Sequence, residues 1–374
     1  MKKKLSILIN DLDSGGAERV ISILLDMLKE RYDITLFLMH NILFYDISDE
    51  IKVVILGNSK PQESGIKKLF KLPLLAWIYK KQNKNSDISL SFLTRPCYIN
   101  ILAKTMGMKA KVIVNERSMP SLYYKHGLQG KINRFLIKKL YNRADIVVGN
   151  SKGNSQDLEK NFNIKNTKVI NNLFDIEKIE KLSKQEVHFR DKEFTFITIG
   201  RLDEGKNHLL LLKAIKKVDA KLYIIGDGKL KTFLENQIKR MGLSKKVTLL
   251  GRAKNPYSYI SKADSFVFSS NHEGFPNVLV EALACRLPII STDCQSGPRE
   301  ILAPFTDMNF SLKEDIELAK YGILTPVNNI ESMVKAMNLM IENRELQNIY
   351  RDKSTIRARD FDKNKIIEKF IEIL

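Results

Sequence analysis

At 374 residues the chain is long enough for two domains of ordinary size, each with its own core. Its 44% hydrophobic and 28% charged residues exclude a disordered chain, and no run reaches the ~20 apolar residues of a membrane-spanning helix. The net charge of +19 points to a polyanionic partner: nucleic acid, an anionic membrane face or a phosphorylated substrate.

Lysine, asparagine and isoleucine are abundant throughout, so much of that charge is expected on solvated faces. Cys97, Cys285 and Cys294 are scattered without metal-ligand spacing, as in a reducing cytoplasm. The opening Met1-Lys-Lys-Lys4 precedes too short an apolar run for a secretory leader.

In chain order, residues 5–9 read as a buried strand. A glycine turn at Gly15-Gly16 follows, then a helix over 17–28 with Val20, Ile21, Leu24, Leu25 and Leu28 at helical period. Paired glycines allow a backbone to approach closely, and a turn after a first parallel strand is a usual ligand-facing position. A plain tight turn is the alternative. Asp11-Leu-Asp13 is too short a match to be read as a metal site, and no metal is expected.

Residues 34–39 and 51–56 read as further strands. The stretch 64–84 interleaves Leu69, Phe70, Leu72, Leu74, Leu75, Trp77, Ile78 and Tyr79 with Lys67, Lys68, Lys71, Lys80 and Lys81. This suits a basic amphipathic helix on an anionic membrane, kinked at Pro73, or a helix packed on its own sheet. Strands at 87–93 and 111–115 enclose a helix near 98–106, and Asn115-Glu-Arg-Ser-Met-Pro120 is a polar strand end. A helix at 131–141, a strand at 145–149, an N-cap turn at Asn150-Ser-Lys-Gly-Asn154 and a strand at 168–170 complete a first domain, 1–171. Residues 172–192, poor in apolar pattern, read as a linker.

A second domain, 193–362, restarts with a strand at 194–199 and the loop Arg201–Asn207. Arg201 and Lys206 at that strand end can both reach one diphosphate, the first as a fork and the second as a movable point charge. Strands follow at 222–225, 247–250, 266–269 and 288–291, and the chain is helical from Ile330. Between the last two strands lies Asn271-His-Glu-Gly-Phe-Pro-Asn-Val-Leu-Val-Glu-Ala-Leu-Ala-Cys285. Pro276 fits a first helical turn, so the N–H groups near Asn277, Val278 and Leu279 face outward to an anion. Glu273 and Glu281 flank that site with acceptors suited to hydroxyl groups. The alternative is an ordinary crossover with two solvated glutamates.

The spacing from Glu273 through Gly274, Phe275, Pro276, Asn277 and Val278 to Glu281 resembles the E-x7-E signature of glycosyltransferase family 4. Gly15-Gly16-Ala-Glu-Arg19, Gly200-Arg-Leu-Asp-Glu-Gly-Lys-Asn207, Gly226-Asp-Gly228 and Leu250-Gly-Arg252 lie where that pattern has them, so the resemblance covers essentially the whole chain. It implies the GT-B architecture, two Rossmann-like doubly wound parallel α/β domains facing a central cleft. The last helix, about 363–374, then crosses back onto the first domain.

The implied activity is retaining transfer from a UDP-sugar donor, without a cofactor or a required divalent metal. Arg201, Lys206 and the helix tip then hold the diphosphate, Glu281 the ribose and Glu273 the donor sugar, with the base near Arg252 and Gly15-Gly16 facing the donor. Many relatives carry a histidine in the loop after the strand at 111–115; Arg117 stands there instead, leaving Glu116 as the expected polar group near the reaction centre. Arg95-Pro-Cys-Tyr98 and Val114-Asn-Glu116 resemble members that add N-acetylgalactosamine to undecaprenyl-diphosphate-linked saccharides, and related enzymes of O-antigen and capsule assembly share the general motifs. The expected partners are a polyprenyl-diphosphate-linked saccharide and an anionic membrane surface, with no nucleic acid. The expected location is cytoplasmic, peripheral on the inner membrane face. A basic nucleic-acid-binding protein is the competing class.

Overall fold

Short apolar runs alternating with segments of helical period give two parallel sheets, each lined by helices. The structure, a computed structural model, describes residues 2–13, 15–57, 65–187 and 193–374. Ser14 of the glycine turn, Ser64 of the basic stretch and 188–192 of the expected linker lie outside the described residues. The chain divides into two compact units, Met1–Phe174 with Lys363–Leu374, and Asp175–Asp362.

In the first unit the strands are β1 (Lys3–Ile9), β2 (Tyr32–Leu38), β3 (Lys52–Ile55), β4 (Ile88–Phe92), β5 (Lys111–Glu116), β6 (Ile146–Gly149) and β7 (Thr167–Val169). They lie in the order β3-β2-β1-β4-β5-β6-β7, all parallel. β4 and the last five residues of β5 are buried without alternation, as strands covered on both faces must be. On one face, Val20, Ile21 and Leu24 of helix Gly16–Leu28 share a core with Ile366, Ile367 and Phe370 of helix Lys363–Ile371. On the other, Leu72, Leu75 and Tyr79 of helix Leu72–Gln82 join Leu8, Phe37 and Tyr98. Pro73 sits in the first turn of that helix, where its missing N–H is harmless, and a separate helix Gly65–Phe70 precedes it.

The second unit repeats the plan with β8 (Thr195–Ile199), β9 (Lys221–Ile225), β10 (Val247–Gly251), β11 (Ser265–Phe268), β12 (Ile289–Thr292), β13 (Glu317–Ala319) and β14 (Gly322–Thr325). Their order is β10-β9-β8-β11-β12-β14-β13, with only the edge strand β13 antiparallel. In each unit the order reverses between the first and fourth strands. Loops leaving these two strands diverge at their carboxyl ends and open a crevice there.

Two segments differ from the sequence reading. Residues 176–183 are a helix, Ile176–Ser183, whose N-cap Asp175 accepts from the Lys178 N–H at 3.0 Å. Only Ile176 and Ile179 of it are buried, too few to show a helical period. The β13–β14 hairpin was not foreseen, because strands of three and four residues carry too little pattern. It is held by a buried network instead: Arg299 Nη2 stands 2.7 Å from both Asp293 and Glu317, and Asp293 also accepts the Leu312 N–H at 2.8 Å.

Candidate functional site

The crevice of the second unit is built by backbone contacts that demand glycine. Gly226 has φ +150°, and a Cβ there would lie 1.9 Å from the Gly200 carbonyl oxygen. A Cβ on Gly228 would lie 2.6 Å from that of Leu202. The turn after β9 therefore rests directly on the turn after β8. The Asp203 carboxylate accepts from the Lys206 N–H at 3.1 Å, and Asn207 takes a left-handed φ of +48° before helix His208–Ile215 begins. Two bonds tie this loop to the one after β11: Ser269 Oγ donates to the Lys206 carbonyl at 2.8 Å, and the Asn271 N–H donates to that of Gly205 at 2.8 Å.

The consequence is a direct ion pair, Lys206 Nζ to Glu273 Oε1 at 2.5 Å. Behind it lies His208, buried; burial and then the Lys206 cation push its imidazole down to about 4, so it is neutral at pH 7. The Lys206 cation is oriented by the half-buried Glu273 carboxylate.

Helix Asn277–Ala284 starts one residue later than the sequence suggests, because Pro276 is extended (φ −75°, ψ 97°) and serves as N-cap. Its approach is set from the loop after β12. Ser296 Oγ donates to the Gly274 carbonyl at 2.8 Å, and Gly297, at φ +86°, leaves only 2.3 Å between a would-be Cβ and Pro276 Cδ. Asn277 and Val278, at the tip, are half-buried. The side chains of Glu273 and Glu281 are 13% and 2% exposed, so neither is the solvated glutamate of an ordinary crossover. Arg201 is exposed, its Nε 3.1 Å from Asp203, and Arg252 is exposed with its Nε 4.0 Å from Asp227. Phe275 is buried, its ring packed edge-on to Phe361 at 5.3 Å.

Gly15 and Gly16 belong to the first unit, as N-cap and first residue of helix Gly16–Leu28. Glu116, also there and expected near the reaction centre, has its carboxylate engaged by its neighbours. It is 1% exposed; Oε2 accepts from Tyr141 at 2.8 Å and Thr94 at 3.0 Å, and Oε1 from the Arg117 N–H and Ser118 Oγ at 3.0 Å each. Burial raises its pKa against these bonds. A polar strand end gives no sequence signal for such complete satisfaction.

Residues 179–357 match the family described as "Glycosyl transferases group 1". The whole chain is 40% identical to the N-acetylgalactosamine-N,N'-diacetylbacillosaminyl-diphospho-undecaprenol 4-alpha-N-acetylgalactosaminyltransferase of Campylobacter jejuni, covering 100% of this chain and 99% of that protein. The chain belongs to the group 1 glycosyltransferases. This glycosyltransferase has the GT-B fold: it superposes on sucrose-phosphate synthase of Thermosynechococcus elongatus with TM-score 0.84 at 15% identity, over 100% of this chain and 98% of that one. Anabaena HepE in complex with UDP matches with TM-score 0.76 at 20% identity, over 99% of each chain. The expected fold is therefore borne out, and the family disfavours the nucleic-acid-binding alternative.

The Lys206–Glu273 contact predicts coupling. Lys206→Met and Glu273→Gln should each lower kcat/KM by about tenfold or more, as expected for a charge-assisted contact. Their effects should fall short of additive by ~1 kcal/mol in the double variant. Losses that simply multiply would show that the two side chains act independently.

Proposed function

We propose that this glycosyltransferase moves N-acetylgalactosamine from UDP-N-acetylgalactosamine to an undecaprenyl-diphosphate-linked saccharide, with retention at the anomeric carbon as in family 4. The observation that carries this reading is the end-to-end 40% identity to a relative whose name specifies that transfer. The donor's C1–O bond to phosphate breaks, the acceptor oxygen bonds to C1 on the same face, and the acceptor's proton passes to the departing phosphate. Lys206, Arg201 and the N–H groups at Asn277 and Val278 carry the diphosphate charge, preorganised before it develops. Glu273 holds the sugar's hydroxyls, Glu281 the ribose, and the base lies near Arg252. These protein cations fill the role a divalent metal has elsewhere. With UDP-N-acetylgalactosamine and an undecaprenyl-diphosphate-linked saccharide, the purified protein should form a product one N-acetylhexosamine heavier by mass spectrometry, undiminished by excess EDTA. No product with this donor, or activity lost to EDTA and restored by Mg²⁺, would contradict the reading.

We also propose that residues 65–82 seat the enzyme on the inner membrane face. No helix among the described residues is long and apolar enough to cross a membrane. Tyr79 anchors helix Leu72–Gln82 inward, its hydroxyl 2.7 Å from Ser89 Oγ and 3.1 Å from Ser6 Oγ. That orientation supports an outward stripe of Phe70, Leu74 and Trp77, which are 80%, 59% and 53% exposed. Lys81 lies 5.4 Å from the Trp77 ring and suits a lipid phosphate at ~1 kcal/mol per lysine. Lys80 is engaged within the unit instead, since it donates to the Met106 carbonyl at 2.5 Å and closes the end of helix Thr94–Thr105. Changing Lys67, Lys68 and Lys81 to Glu should reduce cosedimentation with anionic vesicles and slow transfer to a lipid acceptor, while UDP binding stays unchanged. Normal cosedimentation of that variant would remove this role.

A further inference from the structure

Arg117 is a half-buried charge of the first unit that the site described above does not use. It leaves the carboxyl end of β5, and its backbone is fixed on three sides. Its N–H donates to Glu116, its carbonyl accepts from Asn150 Nδ2 at 3.3 Å, and Glu116's carbonyl accepts from Asn154 Nδ2 at 2.8 Å. The guanidinium lies over the Phe92 ring at the end of β4, with its carbon 4.8 Å from the centroid. Nη1 donates to Asn172 Oδ1, beyond β7. The plane and direction of the guanidinium are therefore set.

The other edge is unpaired. Nε and Nη2 are shielded from solvent and have no hydrogen-bond partner among the described residues. These two atoms form the side-on fork that fits two oxygens of one oxyanion. The same chain shows the fork filled: Arg299 turns Nε and Nη2 onto the Asp293 carboxylate at 3.1 and 2.7 Å. Leaving such donors unpaired away from water is expensive, and folds keep few of them. Burial lowers the Arg117 pKa to about 10, against the pull of Glu116 and Glu18, so the group stays cationic at neutral pH.

Glu116 does not fill the fork, because hydrogen bonds hold its carboxylate elsewhere. Glu18 is the second carboxylate that pulls on Arg117. It folds back over Gly15, where a Cβ would lie 2.1 Å from its Oε2, at the N-terminus of the 13-residue helix Gly16–Leu28.

We propose that Arg117 is an oxyanion-binding residue of the first unit, taking two oxygens of a phosphoryl group on its Nε/Nη2 edge. The chemistry fits the diphosphate of a nucleotide donor or that of a prenyl-linked acceptor. This role goes beyond the donor site of the second unit and stands without it.

Titration of the full-length protein with inorganic pyrophosphate, UDP and farnesyl diphosphate tests the proposal. Each titration is run in the wild type and in a Lys206→Met/Arg201→Met background, which removes both cations assigned to the diphosphate in the second unit. Arg117→Gln should weaken pyrophosphate binding by about tenfold or more in both backgrounds. Arg117→Lys, which keeps the charge but not the fork, should restore it only in part. Added guanidinium ion should rescue Arg117→Ala, an effect a purely structural arginine would not give. Loss confined to farnesyl diphosphate assigns the group to the acceptor, and loss confined to UDP assigns it to the donor. Natively folded Arg117→Gln and Arg117→Lys proteins that bind all three probes like their parents would overturn the proposal. So would no pyrophosphate binding at all in the Lys206→Met/Arg201→Met background. Failure of the donor reading looks different: UDP would then not bind the wild type, whatever stands at 117.

Discussion

The contact between Lys206 and Glu273 depends on a reversal of strand order. Parallel strands β8 and β11 are neighbours, yet their connections leave in opposite directions, so two loops are left facing one another at one end of the sheet. Everything at the site follows from holding those loops close. Gly226 and Gly228 let the turn after β9 press on the first loop, and Ser269 and Asn271 bond the second loop to it. A lysine and a glutamate 67 residues apart thereby meet within a salt-bridge distance. Partial burial makes the pair orient its members more than it stabilises the fold, since such pairs give back much of their attraction as lost hydration.

Much of this is legible in the amino-acid sequence alone. Apolar runs of four to seven residues mark the strands, and glycines at their ends mark where backbone meets backbone. The E-x7-E spacing marks one carboxylate in the loop before helix Asn277–Ala284 and one inside it. What escaped detection was satisfaction. Glu116 reads as a polar group near the reaction centre, and its engagement by Thr94, Tyr141 and Ser118 is not visible in the sequence. The contacts of Phe275 with Phe361 and of Lys80 with Met106 were hidden for the same reason: those partners are not local in sequence. Helix Ile176–Ser183 and the β13–β14 hairpin were missed because they are too short to show a period.

Arg299, buried, and Arg117, half-buried, illustrate the division of labour between units. Arg299 is closed on Asp293 and Glu317 and fastens the edge of the second sheet. Arg117 has equally fixed geometry but keeps its fork unpartnered among the described residues. A framework arginine and a binding arginine are alike in composition and in fixed geometry. They differ in whether the protein itself supplies the second oxyanion.

The central claim, that the β8/β11 crevice receives the donor's diphosphate, is tested most directly by amide hydrogen exchange with and without UDP. The account predicts new protection concentrated in residues 201–207 and 274–279, the loop carrying Lys206 and the start of helix Asn277–Ala284. The amino-terminal ends of β8 and β11 should be unchanged. Protection that appears elsewhere in the chain while those two segments exchange as before would contradict it.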